Sequence, residues 1–518
     1  MSIPKFKNEP FTDFSEKKNR KDFQKALEKV SLRFNQEYPI VIGGEKIYTD
    51  EKLADRNPSD PDQVIGTFQK GTTELAIKAI DTANEAFKAW KSVSAKKRAE
   101  YLFKAAKIMR KRKHEFSAMM VYDVGKNWAE ADGDTAEAID FMEYYAREIL
   151  RYSKGYDLTK IKGEKNEIEY IPLGVGVVIP PWNFPLAILV GMTTAAIVSG
   201  NTVVLKPSSD SPAIAQMFVE LMEEIKLPAG VLNFITGSGG SIGDVLVQHH
   251  LTRFVSFTGS MEIGLRINEL ASKAQPGQIW IKRVVAEMGG KDSIVVDKEL
   301  KDFDDTVNGV VQAAFGFQGQ KCSACSRVIV DESIYDEFCE ALVDKTRFIK
   351  VDDAKDNPNM GPVINQRSKN KILDYIKKAV DEGGEVIYGG NELPKSGYFI
   401  EPTIIKNVGP TDTIAQEEIF GPVLAVIKSP GFDESMKIAN NTMFGLTGAV
   451  YTKSKKKLER AAKDFHVGNL YLNRKCTGAL VGVHPFGGFN MSGTDSKAGG
   501  RDYLGLFLQA KVVSEKVK

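Results

Sequence analysis

The spacing of apolar residues predicts that the chain between residues 74 and 153 is mostly helical. In the first predicted helix, apolar side chains recur at steps of three and four residues, which places them on one face. These side chains belong to Ala76, Ile80, Ala83, Phe87 and Trp90. The same criterion predicts further helices over residues 97–112 and 135–152.

After residue 173 the pattern changes to short apolar runs, rich in β-branched residues, that alternate with helical segments. Four runs predict strands, and they read GVGVVIP, NTVVLKP, VLNFITG and RFVSFTGS. Helical patterns over residues 213–225 and 242–249 lie among them. This alternation predicts a parallel, doubly wound sheet.

A second alternating region begins with the apolar run SIVVD at residues 293–297. It continues through a predicted helix over 303–315, the run RVIVD and a predicted helix over 335–348. We therefore expect a second α/β domain. Two other segments, 167–170 and 506–512, alternate polar and apolar residues. They are predicted to form strands of a small separate sheet.

Length and composition exclude several classes of protein. The 518 residues exceed the size of one hydrophobic core, so two or three domains are expected. With 70 basic and 68 acidic residues the net charge is +2, which favours neither nucleic acid nor a membrane surface as a partner. The polar N-terminus lacks the apolar core of a signal peptide, and prolines and glycines interrupt the apolar stretch 171–205. A cytoplasmic protein without a membrane span is expected.

The cysteines indicate neither a disulfide framework nor a metal site. There are four, at positions 322, 325, 339 and 476, which is too few for a disulfide-stabilised chain of this length. Cys322 and Cys325 form a single C-x-x-C without a second pair or a nearby histidine. We therefore expect no metal. Cys339 lies on a predicted amphipathic helix, so its thiol is expected to lie in the core.

Two glycine-rich turns are candidates for binding a dinucleotide, because such turns let backbone N–H groups approach phosphate. TGSGGSIG at 236–243 has the spacing G-x-G-x-x-x-G, one position away from the usual fingerprint. FTGSMEIG at 257–264 directly follows a predicted strand. Ser260 in this second turn is suited to cap a helix, so a plain helix cap and a phosphate contact both remain open.

Six motifs, in one order along the chain, resemble the aldehyde dehydrogenase superfamily. They are PPWNFP (180–185), VVLKPS (203–208), AEMGGKD (286–292), FGFQGQKCSACSR (315–327), EEIFGPV (417–423) and HPFGGFNMSG (484–493). The resemblance extends from about residue 57 over nearly the whole chain. It implies an α/β fold with a Rossmann-type cofactor domain, an α/β catalytic domain and a small oligomerisation β-sheet.

The resemblance also implies the domain limits. Residues 1–152 and 173–286 are expected to form the dinucleotide-binding domain, and residues 287–483 the catalytic domain. Residues 153–172 and 496–518 are expected to be oligomerisation segments. A homodimer or a larger homo-oligomer is the expected assembly.

The same resemblance assigns the catalytic residues. Cys322 is implied as the nucleophile, whose thiolate attacks an aldehyde carbonyl. The side-chain amide of Asn183 and the Cys322 N–H would stabilise the resulting oxyanion. After hydride transfer to a nicotinamide, Glu287 would act as the base for hydrolysis of the thioester. Cys325 is either a helper thiol or, as we expect, a packing residue.

For the cofactor, the resemblance implies NAD. Lys206 would bind the adenosine ribose, Glu418 and Phe420 would position the nicotinamide ribose and ring, and Trp182 would flank the cleft. Gly259, Ser260 and Gly264 would lie near the pyrophosphate. At Ser209, NAD-preferring relatives often carry glutamate, so NADP is also expected to be accepted. The alternative is that Ser208 and Ser209 only cap the helix that starts near Pro212.

The segment KCTGALVGVHPFGG, residues 475–488, is similar to the substrate-anchoring loop of the pyrroline-5-carboxylate dehydrogenases. These enzymes of proline and arginine degradation oxidise glutamate 5-semialdehyde to glutamate. The similarity implies that Gly478, Ala479 and Ser323 bind the substrate carboxylate, and that Phe184 and Phe486 pack on its carbon chain. Glu137 would face its ammonium group, unless it is a solvated helix residue.

Other functions remain open at this point. The chain could oxidise another small or amino-containing aldehyde. It could also hydrolyse thioesters without redox chemistry, since a cysteine, an amide and a carboxylate would suffice, but Lys206 and Glu418 would then have no role. A non-catalytic protein on an inherited scaffold is disfavoured because nucleophile, base and oxyanion donor are all present.

Overall fold

The computed structural model describes residues 4–517, and its helices and strands follow the predicted alternation. The helices are α1 (Lys17–Ser31), α2 (Thr73–Trp90), α3 (Ala95–Lys111), α4 (Lys113–Val124), α5 (Trp128–Tyr152), α6 (Ala187–Val198), α7 (Pro212–Glu224), α8 (Asp244–Gln248), α9 (Met261–Ser272), α10 (Phe303–Phe315), α11 (Tyr335–Thr346), α12 (Gln366–Asp381), α13 (Thr413–Gln416), α14 (Phe432–Asn440) and α15 (Lys455–Asp464).

The strands are β1 (Gln36–Tyr38), β2 (Ile40–Ile42), β3 (Glu45–Ile47), β4 (Lys52–Asn57), β5 (Asp60–Gln69), β6 (Glu164–Pro172), β7 (Val175–Ile179), β8 (Thr202–Leu205), β9 (Leu232–Phe234), β10 (Thr252–Thr258), β11 (Arg283–Glu287), β12 (Ser293–Val296), β13 (Arg327–Asp331), β14 (Glu385–Tyr388), β15 (Thr403–Lys406), β16 (Val423–Ser429), β17 (Phe444–Gly445), β18 (Thr447–Tyr451), β19 (Asn469–Leu472), β20 (Phe489–Asn490) and β21 (Leu508–Lys516).

The first sheet has the strand order β11-β10-β7-β8-β9-β2-β3. Its four central predicted strands, β7 to β10, are confirmed, and all lie parallel to their neighbours among β7 to β11. The hairpin β2–β3 extends the sheet in the antiparallel sense and was not predicted from the sequence. Each of its strands has only 3 residues, which is too short for an alternating pattern to be recognised.

The second sheet has the order β14-β15-β16-β13-β12-β18-β19 and is parallel except for its edge strand β14. SIVVD and RVIVD form the adjacent central strands β12 and β13, as predicted. Their side chains are buried on both faces, which explains why these runs are continuously apolar. The two-sheet α/β architecture expected from the sequence is thus confirmed.

The strands β6 and β21 form a separate antiparallel pair, in which Ile168 lies opposite Val512 and Tyr170 opposite Ala510. This pairing confirms the predicted small sheet. The strand starts at Leu508, however, so the predicted start at residue 506 is wrong. Residues 503–507 form a 3₁₀ turn instead, because Phe507 is fully buried in the core beneath the first sheet.

The helices before the first sheet pack on it through the predicted apolar face. Ala76, Ile80 and Ala83 are fully buried, and the Trp90 indole N–H donates to the Ile197 carbonyl at 3.1 Å. α5 begins at Trp128, seven residues before its predicted start, because Asn127 caps it by accepting from the Glu130 N–H.

The first residues of the described chain have no regular structure but are fixed by long-range hydrogen bonds. The Asn8 side-chain amide donates to Asp140 on α5 at 2.8 Å and to the Val481 carbonyl at 2.9 Å. The N-terminal segment therefore supports the loop after Lys475. The apolar stretch 171–205 forms β7, α6 and β8, and none of the helices between residues 4 and 517 is long and apolar enough to cross a bilayer.

Candidate active site

The three residues proposed for catalysis come from three different elements that meet between the two sheets. Asn183 lies in the loop between β7 and α6, Glu287 is the last residue of β11, and Cys322 follows a 3₁₀ turn at Gly316–Gly319. The Asn183 amide donates to the Gln320 carbonyl at 3.1 Å, which joins the Asn183 loop to the Cys322 segment in space. The structure thus brings together residues that lie more than 100 positions apart.

The turn before Cys322 has an uncommon backbone conformation. Phe317 and Gln318 adopt left-handed φ angles of 49° and 56°, and Gly319 one of 66°. A left-handed conformation costs an ordinary residue about 1–2 kcal/mol. The Gln318 side-chain amide offsets this cost by donating to the Gly125 carbonyl at 3.1 Å and to the Pro362 carbonyl at 2.7 Å. This turn aims the nucleophile segment into the cleft.

Donors for an oxyanion are available beside Cys322. Within residues 4–517 the Cys322 N–H has no hydrogen-bond acceptor. The Asn183 amide, 4% exposed, uses one hydrogen on Gln320 and keeps the second. A neutral amide and a backbone N–H suit an oxyanion because they donate without introducing a charge.

The Cys322 thiol is half-buried and surrounded by carboxylates. Burial, followed by the charges of Asp292, Glu418 and Glu287, raises the pKa of this thiol above its ordinary value. The thiol is therefore protonated until a base or a positive charge acts on it. Cys325 and Cys476 are fully buried, and the Cys325 thiol donates to the Arg327 carbonyl at 3.3 Å, as expected for a packing residue.

Glu287 turns its carboxylate toward a recess formed by the loop after Pro485. The Ser496 hydroxyl donates to one oxygen, and the Gly488 N–H donates to the other at 3.3 Å. A Cβ atom at Gly487 would lie 1.6 Å from the Ser496 carbonyl oxygen and 2.9 Å from this carboxylate, so glycine is required there. Burial raises the pKa of Glu287 to about 8 despite these hydrogen bonds. Sequence reasoning missed Ser496, since a serine in a loop carries no signal of its own.

Lys206 follows β8 and is 5% exposed, and among residues 4–517 its ammonium group has only the Pro207 carbonyl as a partner, at 3.3 Å. Burial lowers the pKa of this ammonium group to about 8. Its remaining N–H donors fit a sugar hydroxyl. Neither Ser208 nor Ser209 caps α7, so that alternative is wrong: Ser211 precedes the helix, and Asp123 accepts the Ile214 N–H at 3.0 Å.

Glu418 and Phe420 line one recess, and Trp182 packs against Phe420; a nicotinamide ribose site here stays a prediction. The Trp182 and Phe420 rings pack edge to face with centroids 5.4 Å apart. Glu418 accepts the Gly290 N–H at 3.2 Å, and burial raises its pKa to about 6. A Cβ atom at Gly289 would lie 2.1 Å from the Glu418 carboxylate, which explains the glycine after Met288.

The two glycine-rich turns differ in their packing: neighbouring side chains explain the glycines of one turn but not those of the other. Ser260 caps α9 by accepting the Ile263 N–H at 3.4 Å, so the helix-cap interpretation is correct for it. A Cβ atom at Gly264 would lie 2.4 Å from the Met288 sulfur, and one at Gly259 would meet the Phe257 ring at 2.5 Å. Packing thus accounts for both glycines, and contact with a pyrophosphate stays a prediction. Gly239 and Gly243, in the other turn, have open space around them.

The residues proposed for substrate binding lie on the nucleophile segment and on the loop after Lys475. The Cys476 thiol donates to the Ser323 carbonyl at 3.4 Å, which brings Ser323 next to the loop of Gly478 and Ala479. Gly478 is exposed and has φ 81°. Phe486 is half-buried and pairs with Ala498 at the base of this loop.

Glu137 is not a solvated helix residue, so that alternative is wrong. It lies on the inner side of α5, and burial, with the charge of Asp134 next, raises its pKa to about 8. Near it the fully buried Lys126 donates to Asp134 at 2.6 Å and lies 4.0 Å from the centroid of the Phe184 ring. Sequence reasoning missed Lys126, because a lysine next to a glycine predicts an exposed turn.

Comparisons with known proteins agree with this geometry. The model of the aldehyde dehydrogenase family matches residues 47–513. The chain is 55% identical to the 1-pyrroline-5-carboxylate dehydrogenase of Geobacillus sp. (strain WCH70) over 514 residues, 99% of each chain. The 1-pyrroline-5-carboxylate dehydrogenase from Thermus, solved with bound NAD, has a TM-score of 0.98 and 47% identity, covering 100% of both chains. A betaine aldehyde dehydrogenase from Staphylococcus aureus in complex with NAD+ has a TM-score of 0.88 and 30% identity, covering 96% of this chain and 98% of that one.

The exposure of the thiols predicts where the native protein is alkylated. Cys322 is half-buried, whereas Cys325, Cys339 and Cys476 are buried. We expect iodoacetamide to modify Cys322 first, and Cys322→Ala to remove this reaction while Cys325→Ala leaves it. After burial, Asp292 and Glu418, the charge of Glu287 also raises the pKa of the Cys322 thiol. Glu287→Gln should therefore speed alkylation severalfold above about pH 8, where the wild-type carboxylate is ionised, and change it little at neutral pH. Mass spectrometry of the labelled protein measures this, and first modification at Cys325 would contradict it.

Proposed function

This chain belongs to the aldehyde dehydrogenase family, and on that basis we propose that it oxidises L-glutamate 5-semialdehyde to L-glutamate with NAD. The semialdehyde is the open form of 1-pyrroline-5-carboxylate. The relatives that align over 99% of the chain are named 1-pyrroline-5-carboxylate dehydrogenases. The observation that carries the proposal is the loop at Gly478 and Ala479. Within the described chain, neither residue's N–H has a hydrogen-bond acceptor.

Two free N–H groups on adjacent residues suit a carboxylate, because both oxygens can be bound without a counter-ion. Ser323 lies beside this loop and would add its hydroxyl as a third donor. At the other end of the substrate, Glu137 would bind the ammonium group, whose positive charge would lower the pKa of Glu137 again. Phe184 and Phe486 would pack on the carbon chain between the two ends.

The first chemical step is addition of the Cys322 sulfur to the aldehyde carbon. The thiol first loses its proton to solvent, a step that its raised pKa disfavours in the empty site. The carbonyl oxygen becomes an oxyanion, which the Asn183 amide and the Cys322 N–H would stabilise. Loss of one such donor costs about 3 kcal/mol of activation free energy.

Bound NAD supplies the acceptor for the hydride that leaves the tetrahedral carbon. Lys206 would hold the adenosine ribose, and Glu418 with Phe420 would orient the nicotinamide half. The product of this step is a thioester on Cys322. Glu287 then removes a proton from water, which attacks the thioester and releases glutamate and the free thiol. A non-redox thioester hydrolase would leave the cleft of Lys206 and Glu418 without a role.

The assembly and the domain limits are further parts of the proposal. An isolated two-stranded sheet is marginally stable, and Val512 on the pair β6–β21 is 57% exposed. A second copy of the chain would cover this sheet, with residues 153–172 and 496–518 as oligomerisation segments. The dinucleotide-binding domain would comprise 1–152 and 173–286, and the catalytic domain 287–483. We place the enzyme in the cytoplasm.

The role of Glu287 predicts a burst in its glutamine variant. In Glu287→Gln, hydride transfer should persist because the Cys322 thiol ionises more easily, whereas hydrolysis of the thioester should slow by about a hundredfold. Stopped-flow absorbance should show one equivalent of reduced NAD followed by slow turnover. Wild-type hydrolysis should rise with pH through about 8, where Glu287 ionises, and the variant should lose this dependence. A slowed burst would contradict the assignment.

The carboxylate-binding loop predicts substrate preference. We expect kcat/KM for glutamate semialdehyde to exceed that for propanal by at least about tenfold, because propanal leaves the loop donors unpaired. Gly478→Val should raise KM for the semialdehyde strongly, since φ 81° disfavours a branched side chain, and should affect propanal less. Equal efficiency for both aldehydes in the wild type would disprove the proposed substrate.

The residues near Lys206 predict that NADP is also used. Ser209 is small and uncharged, and the neighbouring Asp210 carboxylate is held by the Asn365 amide, which donates to it at 3.1 Å. Ser209→Glu should lower kcat/KM for NADP far more than for NAD, since like charges about 4 Å apart repel by up to ~4 kcal/mol. Ser92→Glu, at an exposed position after α2, serves as the control. No activity of the wild type with NADP would refute the prediction.

The small sheet predicts the assembly in solution. Light scattering at micromolar concentration should give at least twice the mass of one chain. Val512→Asp should reduce the mass, because it places a charge on the apolar face shared with Ile168. Lys511→Ala, on the opposite face of the same strand, should leave the mass unchanged. A monomeric wild type would count against an oligomer.

A further inference from the structure

Arg474 lies immediately before the carboxylate-binding loop at Gly478 and Ala479, and its side chain contacts backbone carbonyls of this loop. Its Nη2 atom donates to the Thr477 carbonyl at 2.8 Å and to the Gly478 carbonyl at 3.2 Å. Arg474 lies outside the six family motifs, and it takes no part in the chemical steps proposed above. We infer that Arg474 is a positioning residue that sets the preference for aldehydes bearing a carboxylate; the inference rests on the proposed function.

The geometry of the peptide group links the two carbonyls that Arg474 binds to the N–H groups of the loop. In a planar trans peptide the C=O and the following N–H point in opposite directions. The Thr477 carbonyl shares its peptide group with the Gly478 N–H, and the Gly478 carbonyl shares one with the Ala479 N–H. By binding both carbonyls, Arg474 directs both N–H groups away from itself. These are the two N–H groups that lack an acceptor in the described chain.

The guanidinium is itself held in place. Its Cζ atom lies 4.4 Å from the centroid of the Tyr471 ring, a cation–π contact. His484 also fixes the far end of the loop, because its Nδ1 accepts the Leu480 N–H at 3.3 Å. Arg474 and His484 thus hold the loop at both ends.

Gly478 fits this arrangement for two reasons. Its φ of 81° lies in the left-handed region, where glycine is favoured, and this lets two successive carbonyls face the same donor. A Cβ atom there would lie 3.7 Å from Nη2 of Arg474, which is ordinary contact. The conformation, rather than a lack of space, therefore requires glycine, and Arg474 stabilises that conformation.

The test compares Arg474→Gln and Arg474→Lys with the wild type on glutamate semialdehyde and propanal, using NAD. Arg460→Gln is the matched control, because Arg460 pairs with Asp433 and Asp464 on the surface, on α15. We expect Arg474→Gln to raise KM for the semialdehyde about tenfold, the loss of one charge-assisted hydrogen bond. Its kcat, and KM for propanal, should change far less.

Arg474→Lys separates position from charge. Lysine keeps the positive charge but lacks the planar fork, so KM for the semialdehyde should lie close to that of Arg474→Gln. A lysine variant with wild-type KM, or an equal rise of KM for both aldehydes in Arg474→Gln, would overturn the inference. If the wild type prefers the semialdehyde and Arg474→Gln keeps that preference, the inference is overturned but the proposed function is not. A wild type without preference would overturn the proposed function, and the inference with it.

Discussion

The hydrogen bonds of Gln318 are the constraint on which the active site depends. This side chain binds two carbonyls, one after α4 and one after the β-bridge at Met360, and so fixes a turn that the backbone would otherwise avoid. Gln320, two residues later, accepts the Ile364 N–H with its side chain and the Asn183 amide with its carbonyl. Nucleophile and oxyanion donor are therefore positioned by one segment, and neither needs to move for the other to be in place.

A second feature of this site is that several of its ionisable groups are buried. Glu287, Glu418 and Cys322 all have raised pKa values, and desolvation is the largest cause in each case. The same effect lowers the pKa of Lys206. Groups whose charged forms are disfavoured gain most from an opposite charge that arrives with a ligand. The protonation of these groups can therefore differ between the empty and the occupied site without a large movement of the backbone.

The fold was largely predictable because its central strands are buried on both faces. Continuous runs such as SIVVD and RVIVD have no other interpretation once helices flank them. Short edge elements such as β2 and β3 were not predictable, since 3 residues carry no period. The start of β21 was misplaced because Phe507 packs inward in a turn, which depends on the core around it rather than on local alternation.

Site residues divide in a similar way. Cys322, Asn183 and Glu287 stand in motifs whose order along the chain is informative. Ser496, Lys126 and Arg474 lie outside these motifs and are recognised only by their contacts in the folded chain. Ser496 meets Glu287 across 209 positions, so no local window contains both. Glu137 was misread as a possible surface residue because its neighbours on α5 mix charged and apolar types. Burial, which decides its role, is a property of the assembled structure.

The hydrogen bond from Asn8 to the Val481 carbonyl also has a consequence for biosynthesis. The two residues are 473 positions apart, and at about 5–20 residues per second a ribosome needs roughly half a minute or more to connect them. Through that interval the Asn8 amide can pair with Asp140 on α5 but not with the Val481 carbonyl, which does not yet exist. The substrate side of the cleft is therefore completed after the first sheet, whose last strand ends at Glu287, has had time to form. A nascent chain can complete this sheet well before it can recognise an aldehyde.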